Sequence, residues 1–414
     1  MKFLVYLSLL LFSLVTFGKD LESDTVNIGN KRTSDDVVLK FKDGGYIKKL
    51  NTGGFVQSND GIIEKVIPTE SGALPNGTFI KKDYRSVAFI KTSAQTLSIV
   101  AKTSAVVNGT TINFSVDTNV IVPTLVAGTD YAVYICQDGT VRASDDFDFP
   151  SGYTALNSLK VGGFHYSAVS PTETLVGGEF ATTGGGMIWT QPDVDKIRGI
   201  NQFSFWDNKF RPVADDPRGM VLVAGRFWAD IYFTNTDPDT NGTSKYNSNV
   251  ASGTVLPKKP AMFGGDGTVT YTDGNWWNMA ELVRAQGKRL PTFNEFSDLA
   301  FGTTEATSLG GASETIPLTK NEKKYTSKWG VEQSTGHMYT WGADIGGATG
   351  SASWVADTHS RGSTYAANLS APLFGGYRAD TSNSGSRSSS WSLAPTSSYW
   401  NIGVRAVCDH ERSE

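Results

Sequence analysis

The sequence predicts a mainly β protein that ends in an α+β domain, and three features lead to this prediction. Glycine is abundant (44 residues), only 19% of the residues are charged, and long apolar helical segments are scarce, as is typical of β or loop-rich proteins. Short apolar segments recur between turn residues through residues 78–166. Helical periodicity is clear only in residues 273–302. With 414 residues, the chain is long enough for two or three domains.

The first 18 residues predict a secretory signal peptide. Lys2 precedes an apolar run of about 15 residues, which ends at Phe17 and is followed by the small residue Gly18. This run is shorter than the roughly 18 residues that a membrane span needs. A buried strand or an apolar tail is the alternative. No other segment is as apolar, so we expect no membrane span in the mature protein.

Residues 19–76 predict a small β module. Two segments, 37–45 and 46–56, alternate between apolar and polar residues around glycine pairs, as β-hairpins do. The module is too short and too polar to bury a large core alone. We therefore expect it to pair with copies of itself in an oligomer.

Residues 77–168 predict a β-sandwich of short strands. Asn108-Gly109 lies between two alternating segments, and this pair favours a tight hairpin because both turn positions need positive φ. Asp138-Gly139 repeats the pattern. Residues 169–200 contain Pro171 and several glycines, and we interpret them as a linker or an insertion. The clearest strand candidates are residues 88–91, 97–101, 105–114 and 130–143.

Residues 201–414 predict the α+β domain. Residues 221–232 have the pattern of two buried strands or of one strand with a bulge. Two helices follow, one ended by Gly287 and the other begun by a capping box of Thr292 and Glu295. The inward face of the first helix is predicted to consist of Trp276, Met279, Ala280 and Val283, and that of the second of Phe296, Leu299 and Ala300.

The last segment, residues 373–410, combines two kinds of position. One kind is apolar, and over residues 402–408 it alternates as in a half-buried strand. The other kind is mostly Ser, Gly, Asn and Thr with a few aromatic residues, a mixture typical of binding loops. A serine-rich surface loop or a disordered linker is the alternative, but two Trp residues and a closing strand favour an ordered binding surface. The residues expected to be buried are Phe374, Trp391, Ile402, Val404 and Val407.

Composition argues against several classes of function. The net charge is −4 and no long basic segment is present, so nucleic-acid binding has little support. Two cysteines, Cys136 and Cys408, are too few for a disulfide framework or a thiolate zinc site, and the four histidines lack metal-ligand spacing. Asp266, Asp273 and Asp344 could bind calcium, but their isolated positions among Gly and Thr favour turn and cap roles. We expect neither a metal nor another cofactor.

The fixed frame of the last segment resembles the variable region of the major tropism determinant family, phage tail-fibre receptor-binding proteins diversified by a retroelement. The matching residues are Leu-Phe-Gly-Gly at 373–376, Thr-Ser-Asn-Ser-Gly-Ser-Arg at 381–387, Asn-Ile-Gly at 401–403 and Val-Cys-Asp-His at 407–410. Residues 125–143, 160–166 and 205–232 also resemble this family. The C-terminal part of the chain also resembles the C-type-lectin-like fold, in the branch shared with formylglycine-generating enzymes. The motifs that carry this resemblance follow one another at 287–292, 329–342, 361–366 and 403–407.

The resemblance implies an intertwined homotrimer at the tip of a virion tail fibre. Each chain would have an N-terminal β-prism, a β-sandwich and a C-type-lectin-like domain, which displays variable residues to a bacterial surface receptor, generally a protein. The variable region would span about residues 374–408. The resemblance assigns ligand binding to Tyr377, Ala379, Asp380, Thr381, Asn383, Ser390, Ser392, Leu393, Ala394, Ser397 and Tyr399. It assigns the scaffold to Phe374, Arg387, Trp391, Ile402 and Arg405, with Trp391 and Ile402 in the core and the two arginines bracing the loops.

Two other functions are weighed against receptor binding by a phage protein. A formylglycine-generating oxidase needs two neighbouring cysteines for copper, and related iron enzymes need a histidine cluster; this part of the chain offers only Cys408 and scattered histidines. We therefore expect no catalysis. A phage tail protein does not need a signal peptide, so the second hypothesis is a secreted or surface-displayed bacterial protein that binds ligands through the same diversified domain.

Overall fold

The structure of the protein is a computed structural model. It describes residues 74–175, 188–311, 313–356 and 363–412, together with four short strands between residues 38 and 67, and the predicted signal peptide lies outside this part of the chain. The four strands form one antiparallel sheet in chain order, in which neighbouring strands flank the glycine pairs that predict hairpins. They are β1 (Val38–Lys40), β2 (Tyr46–Lys49), β3 (Phe55–Ser58) and β4 (Glu64–Ile67). The β-prism and the self-association of this module stay predictions.

The following strands form small sheets around a common core. Leu97, Ile99, Val133 and Ile135 are fully buried in that core, which gives the layered β arrangement that the sequence predicts. One sheet consists, in order, of β5 (Phe79–Ile80), β8 (Thr103–Val107) and β9 (Thr110–Phe114). Another consists of β10 (Thr118–Asn119), β7 (Leu97–Ile99) and β6 (Phe89–Lys91). A third group contains β12 (Val141–Ser144), β11 (Thr129–Cys136) and β13 (Ser158–Tyr166).

The two predicted hairpins are confirmed, with one difference in turn geometry. Asn108 and Gly109 connect β8 to β9 and have φ values of 48° and 74°, as a two-residue hairpin turn requires. In the turn from β11 to β12, Gly139 has a φ of 85° and its amide donates a hydrogen bond to the Cys136 carbonyl (2.9 Å). The Cys136 amide in turn donates to the Thr140 carbonyl (2.9 Å), so this second turn is longer than the first.

A sheet of eight strands links the middle of the chain to its end. Its order is β12-β11-β13-β14-β15-β23-β17-β16, so the last strand of the chain lies between two strands that begin some two hundred residues earlier. Residues 221–232 contain the strand pair predicted for them, connected by residues 224–226, of which Ala224 and Gly225 have positive φ. The added strands are β14 (Trp206–Asp207), β15 (Phe210–Pro212), β16 (Met220–Val223), β17 (Phe227–Asp230) and β23 (Val407–Arg412).

The two helices that the sequence predicts are present as α3 (Trp276–Arg284) and α4 (Phe293–Leu299). The capping box of α4 is present, since the Glu295 amide donates to the Thr292 hydroxyl (3.3 Å) and the Thr292 amide donates to the Glu295 carboxylate (2.9 Å). Helix α1 lies within the segment interpreted as a linker, and it packs Val194 and Ile197 against Trp189 in a small core of its own. The helices are α1 (Gln191–Ile197), α2 (Pro238–Asn241), α3 (Trp276–Arg284) and α4 (Phe293–Leu299).

The C-terminal part combines α3 and α4 with a five-stranded sheet, as an α+β arrangement requires. The inward residues of α3 pack with Trp341, Leu373 and Ile402 of this sheet. Within the described ranges, no helix has the length and apolar character needed to cross a membrane. The sheet has the order β19-β20-β18-β22, with β21 paired to β20, and consists of β18 (Tyr339–Trp341), β19 (Gly346–Ala356), β20 (Ser363–Phe374), β21 (Ser389–Leu393) and β22 (Ile402–Gly403).

Candidate functional site

Two glycines begin the variable region. Strand β20 ends at the buried Phe374, and Gly375 and Gly376 follow with φ values of 88° and 78°, a conformation that favours glycine. A β-carbon at Gly376 would lie 2.3 Å from the Ser384 hydroxyl oxygen, so this position has no room for a side chain. The chain therefore turns tightly into residues 377–388, which we call the first loop.

Hydrogen bonds between its own residues shape the first loop. The Tyr377 amide donates to the Asp380 carboxylate (2.9 Å), and the Asp380 amide donates to the Tyr377 carbonyl (3.0 Å). At the base of the loop, the Gly385 amide donates to the Gly375 carbonyl (3.2 Å), and the Gly375 amide donates to the Ser388 carbonyl (3.1 Å). Three of these four contacts join backbone atoms and do not depend on side-chain identity, whereas the fourth needs the carboxylate of Asp380.

Strand β21 carries the middle of the variable region, and its Trp391 corrects the sequence analysis. Ala371 pairs with Leu393 and Leu373 with Ser390, so three residue steps on β21 face two on β20, which defines a β-bulge. Trp391 lies in this bulge with its side chain 50% exposed. The prediction that Trp391 is a core residue is wrong, because the bulge on an outer strand leaves its ring at the surface.

Residues 394–401 form the second loop, which is attached to the start of α3. The Trp276 amide donates to the Pro395 carbonyl (2.9 Å), and the Gly253 amide donates to the Tyr399 carbonyl (3.0 Å). A β-carbon at Gly253 would lie 2.3 Å from the Tyr399 amide nitrogen, so the two chain segments touch at their backbones. The second loop is thereby fixed to residues that lie far from it in the sequence.

The structure places every predicted variable residue at the surface, and their role in ligand binding stays a prediction. They belong to the first loop, β21 and the second loop. The first loop connects β20 to β21 and the second connects β21 to β22, and all three strands belong to one sheet. The most exposed are Ala379, Thr381, Asn383, Ser392, Ala394 and Tyr399. The half-buried ones are Tyr377, Asp380, Ser390, Leu393 and Ser397.

An aromatic cluster joins the two loops. The Tyr377 ring lies 5.4 Å from the Tyr339 ring and 5.9 Å from the Trp400 ring, measured between centroids. Burial raises the pKa of the Tyr339 hydroxyl, and the neighbouring Asp380 carboxylate raises it further. Tyr377, a predicted variable residue, is thus held between two aromatic residues outside the predicted variable set, which fixes the orientation of its exposed edge.

The predicted scaffold residues divide into buried and exposed ones. Phe374 and Ile402 are each 1% exposed, in agreement with their predicted burial. Arg387 is exposed at the surface, so the structure does not support a bracing position for it. The buried members of that motif are Ser384, Gly385 and Ser386.

Arg405 is fully buried and connects two backbone segments. Its guanidinium donates to the carbonyls of Asp230 (2.9 Å), Ile231 (2.5 Å) and Glu332 (2.5 Å). Residues 402–408 are buried on both faces, whereas the sequence predicts a half-buried strand. The reason is that this segment passes between two hydrophobic cores, one against α3 and one against α4.

Several residues outside the variable region hold the first loop and were not found by sequence reasoning. They are Glu305, Ser308, Glu314 and His337. Glu305 hydrogen-bonds with Ser386. The other three contact Arg378, and His337 also contacts the Glu314 carboxylate. Glu305, Ser308 and Glu314 lie in residues 303–320, which show neither strand nor helix periodicity. No sequence pattern there separates these three residues from ordinary polar residues at the surface.

The potential metal ligands and the cysteines of the described residues have structural surroundings. No group of three or more His, Cys, Asp or Glu side chains in this part of the chain could hold a metal ion. Asp266 accepts hydrogen bonds from the Thr268 and Val269 amides, the turn role predicted for it. Cys136 and Cys408 are free and buried, and burial raises the pKa of each thiol to about 11, which keeps both protonated.

Comparisons with known proteins agree with this architecture. Residues 87–190 match the family model described as the Mtd second domain. The tail fiber receptor-binding protein of Bordetella phage BPP-1 is 47% identical over 360 residues, which cover 85% of this chain and 90% of that protein. Among solved structures, the Major Tropism Determinant M1 variant has a TM-score of 0.74 and 46% identity, and the U1 variant has a TM-score of 0.73 and 45% identity. Each match covers 88% of this chain and 93% of the solved chain.

These matches confirm the predicted fold, a mainly β chain with a C-type-lectin-like C-terminal domain. The similarity extends over most of the chain and most of each relative. The chain therefore belongs to the major tropism determinant family.

Proposed function

We propose that this protein is the receptor-binding protein of a phage tail fibre and that it recognises a bacterial surface receptor through the first loop, β21 and the second loop. One observation carries the proposal: Phe374 and Ile402 are buried, whereas every predicted variable residue reaches the surface. Contact residues on such a frame can change without loss of the fold. The names of the relatives, a tail fiber receptor-binding protein and major tropism determinants, support the same function.

The chemistry of the surface suits recognition of a protein. Tyr377, Trp391 and Tyr399 supply large rigid contact areas, and the serines and Asn383 between them supply adaptable hydrogen bonds. One surface of this kind binds modestly, and a trimer would raise the overall affinity by avidity. The resemblance to this family implies a homotrimer, for which light scattering of the purified protein should give about three times 44.6 kDa; a monomer would contradict it.

The proposal is tested by binding of the fluorescently labelled protein to intact cells of a panel of bacterial strains. We expect labelling of a subset of strains, and loss of labelling after the cells are treated with protease. Labelling that survives protease but is lost after enzymatic removal of surface glycans would show that the receptor is not a protein. Absence of labelling from every strain that the phage infects would contradict the proposed function.

Replacement of both Tyr377 and Tyr399 by Ala should abolish cell labelling, since these rings supply much of the exposed aromatic area. Tyr399 is 49% exposed and Tyr377 is half-buried, so we expect the pair to cost only about 1 kcal/mol of folding stability. Cell labelling and thermal melting measure the two effects. The control is Phe149→Ala, which removes a 39% exposed ring from the β-sandwich region and should leave labelling unchanged.

The second candidate is a secreted or surface-displayed bacterial protein that uses the same surface, and the signal-peptide-like start of the chain favours it. DNA next to the gene separates the candidates. Tail genes beside it support a virion protein, and their absence supports the secreted one. A near-copy of the segment that encodes residues 377–407, differing only at adenines and next to a reverse-transcriptase gene, would support diversification in either case.

A further inference from the structure

We propose that Glu305 and Glu314, which lie outside the variable region, are positioning residues that hold the first loop in its receptor-binding conformation. This inference rests on the proposed function for its effect on binding, but the anchoring itself concerns the free protein. Neither residue belongs to the predicted variable set, and both are half-buried beneath the loop.

Glu305 binds the far end of the first loop with both carboxylate oxygens. One oxygen accepts a hydrogen bond from the Ser386 amide (2.9 Å), and the other accepts one from the Ser386 hydroxyl (2.6 Å). A β-carbon at Gly385 would lie 2.3 Å from the Glu305 carboxylate, so only glycine permits this approach. Charge-assisted hydrogen bonds of this kind are stronger than neutral ones. Ser386 is thus bound through its amide and its hydroxyl by one side chain from a remote segment.

Glu314 fixes the near end of the first loop through Arg378. Its carboxylate lies 3.4 Å from the Arg378 guanidinium, 3.1 Å from the Lys320 ammonium and 3.4 Å from the His337 ring nitrogen. Arg378 is only 7% exposed, although both of its neighbours in the chain are predicted variable residues. The hydrogen bond from His337 is the main cause that lowers the pKa of Glu314 to about 2, so this carboxylate stays charged under ordinary conditions.

Backbone contacts continue between these two anchors. The Arg378 carbonyl accepts hydrogen bonds from the Gly310 amide (2.9 Å) and the Ser308 hydroxyl (2.8 Å). The Ala306 amide donates to the Ser384 carbonyl (3.0 Å). Among the described residues of 305–314, these contacts reach backbone atoms of the loop and side chains outside the predicted variable set.

This division of contacts explains why the loop can vary in sequence and keep its shape. A surface whose contact residues change must take its order from other groups, because each new set of side chains would otherwise fold the loop differently. The carboxylates of Glu305 and Glu314 contribute to that order through Ser386 and Arg378, which lie outside the predicted variable set. A loop already held in its bound conformation loses less conformational entropy when it binds.

The experiment makes two measurements on the full-length protein and its variants: hydrogen exchange of the free protein and binding to receptor-bearing cells. In Glu305→Ala and Glu314→Gln, we expect the amides of residues 378–386 to exchange about ten-fold faster and cell binding to weaken by about ten-fold, since each loses charge-assisted hydrogen bonds. Amides of β11 and α3 should exchange as in the unchanged protein. Glu305→Gln keeps the shape of the side chain and covers the case in which Glu305→Ala fails to fold.

The control is Asp237→Asn, which removes a carboxylate of similar exposure that pairs with Lys258 at 2.6 Å elsewhere in the C-terminal part. It should change neither loop exchange nor binding. Combining Glu305→Gln with Ser386→Ala should add little to the effect of either alone, because the two act through one contact.

Each outcome decides a separate question. Loop exchange that stays as slow as in the unchanged protein, or faster exchange with undiminished cell binding, would overturn the positioning role. If the unchanged protein labels no cells, the proposed receptor function fails, while the exchange rates still decide whether the two glutamates anchor the loop.

Discussion

At the scale of single residues, Trp391 places a large aromatic ring at the surface between variable positions. Such exposed rings often contribute much of the binding energy of an interface. Trp391→Ala should weaken cell binding by about ten-fold or more, yet cost only about 1 kcal/mol of stability, because half of the side chain is already exposed. Urea unfolding and cell labelling measure the two effects. Trp341→Ala is the matched control, since Trp341 is fully buried and its loss should cost about 3–5 kcal/mol.

Glu332 should make stability depend on pH. Its carboxyl is buried beside Arg405, Tyr232 and His165, and burial raises its pKa to about 7, although hydrogen bonds from Thr326 and Asn321 oppose the shift. The folded protein keeps the proton on the Glu332 carboxyl up to about pH 7, whereas the unfolded chain releases it near pH 4.5. The contribution of this proton to the free energy of unfolding is therefore complete below pH 4.5. It falls as the pH rises toward about 7 and is constant above it.

Glu332→Gln should remove this part of the pH dependence. Urea unfolding at pH 5 and pH 8 should show a loss of up to about 3 kcal/mol in the unchanged protein, and a smaller loss in the variant, since the amide does not ionise. An equal loss in both proteins would show that other groups cause the pH dependence.

At the scale of elements, the glycine turn after β20 determines where the first loop begins. Gly376→Ala should destabilise the protein by more than about 1 kcal/mol and disorder the loop, because the methyl group meets Ser384 and the residue has a φ of 78°. Gly225→Ala is the control: its φ is 67°, but a β-carbon there meets no atom within 4 Å. Thermal melting that shifts equally for both would assign the effect to backbone strain alone.

Elements were predictable where a local pattern encodes them. The periodicity of α3, the capping box of α4 and the Asn108-Gly109 turn are short-range patterns, and each appears as predicted. Helix α1 was missed, although Thr190 and Asp193 form a capping box in front of it. Pro171 and the glycines that precede the helix led to the linker interpretation.

Long-range contacts were not predictable in the same way. Glu305 and Ser386 are separated by 81 positions, so nothing near either residue in the sequence indicates that they meet. The exposure of Trp391 depends on a register shift between β20 and β21, which a single sequence does not reveal. The burial of Ile402 was predictable because an apolar residue in a closing strand usually faces a core.

At the scale of the whole molecule, the variable region lies between two strands that the core holds firmly. Before it, β20 pairs with β18 and β19; after it, β23 lies between β15 and β17 in the eight-stranded sheet. Loss of contacts in the two loops therefore leaves both flanking strands in place. We therefore expect changes at the predicted variable residues to leave the fold intact.

The central claim is that the first loop, β21 and the second loop bind the receptor while the rest of the chain holds them. The most direct test replaces the exposed variable residues Ala379, Thr381, Asn383, Ser392, Ala394 and Tyr399 together, with serine at each position that is not already serine and alanine at Ser392. The account predicts an unchanged molar mass, a melting temperature within a few degrees of the unchanged protein, and loss of binding to every strain that the unchanged protein labels. Retained binding to those strains would contradict it.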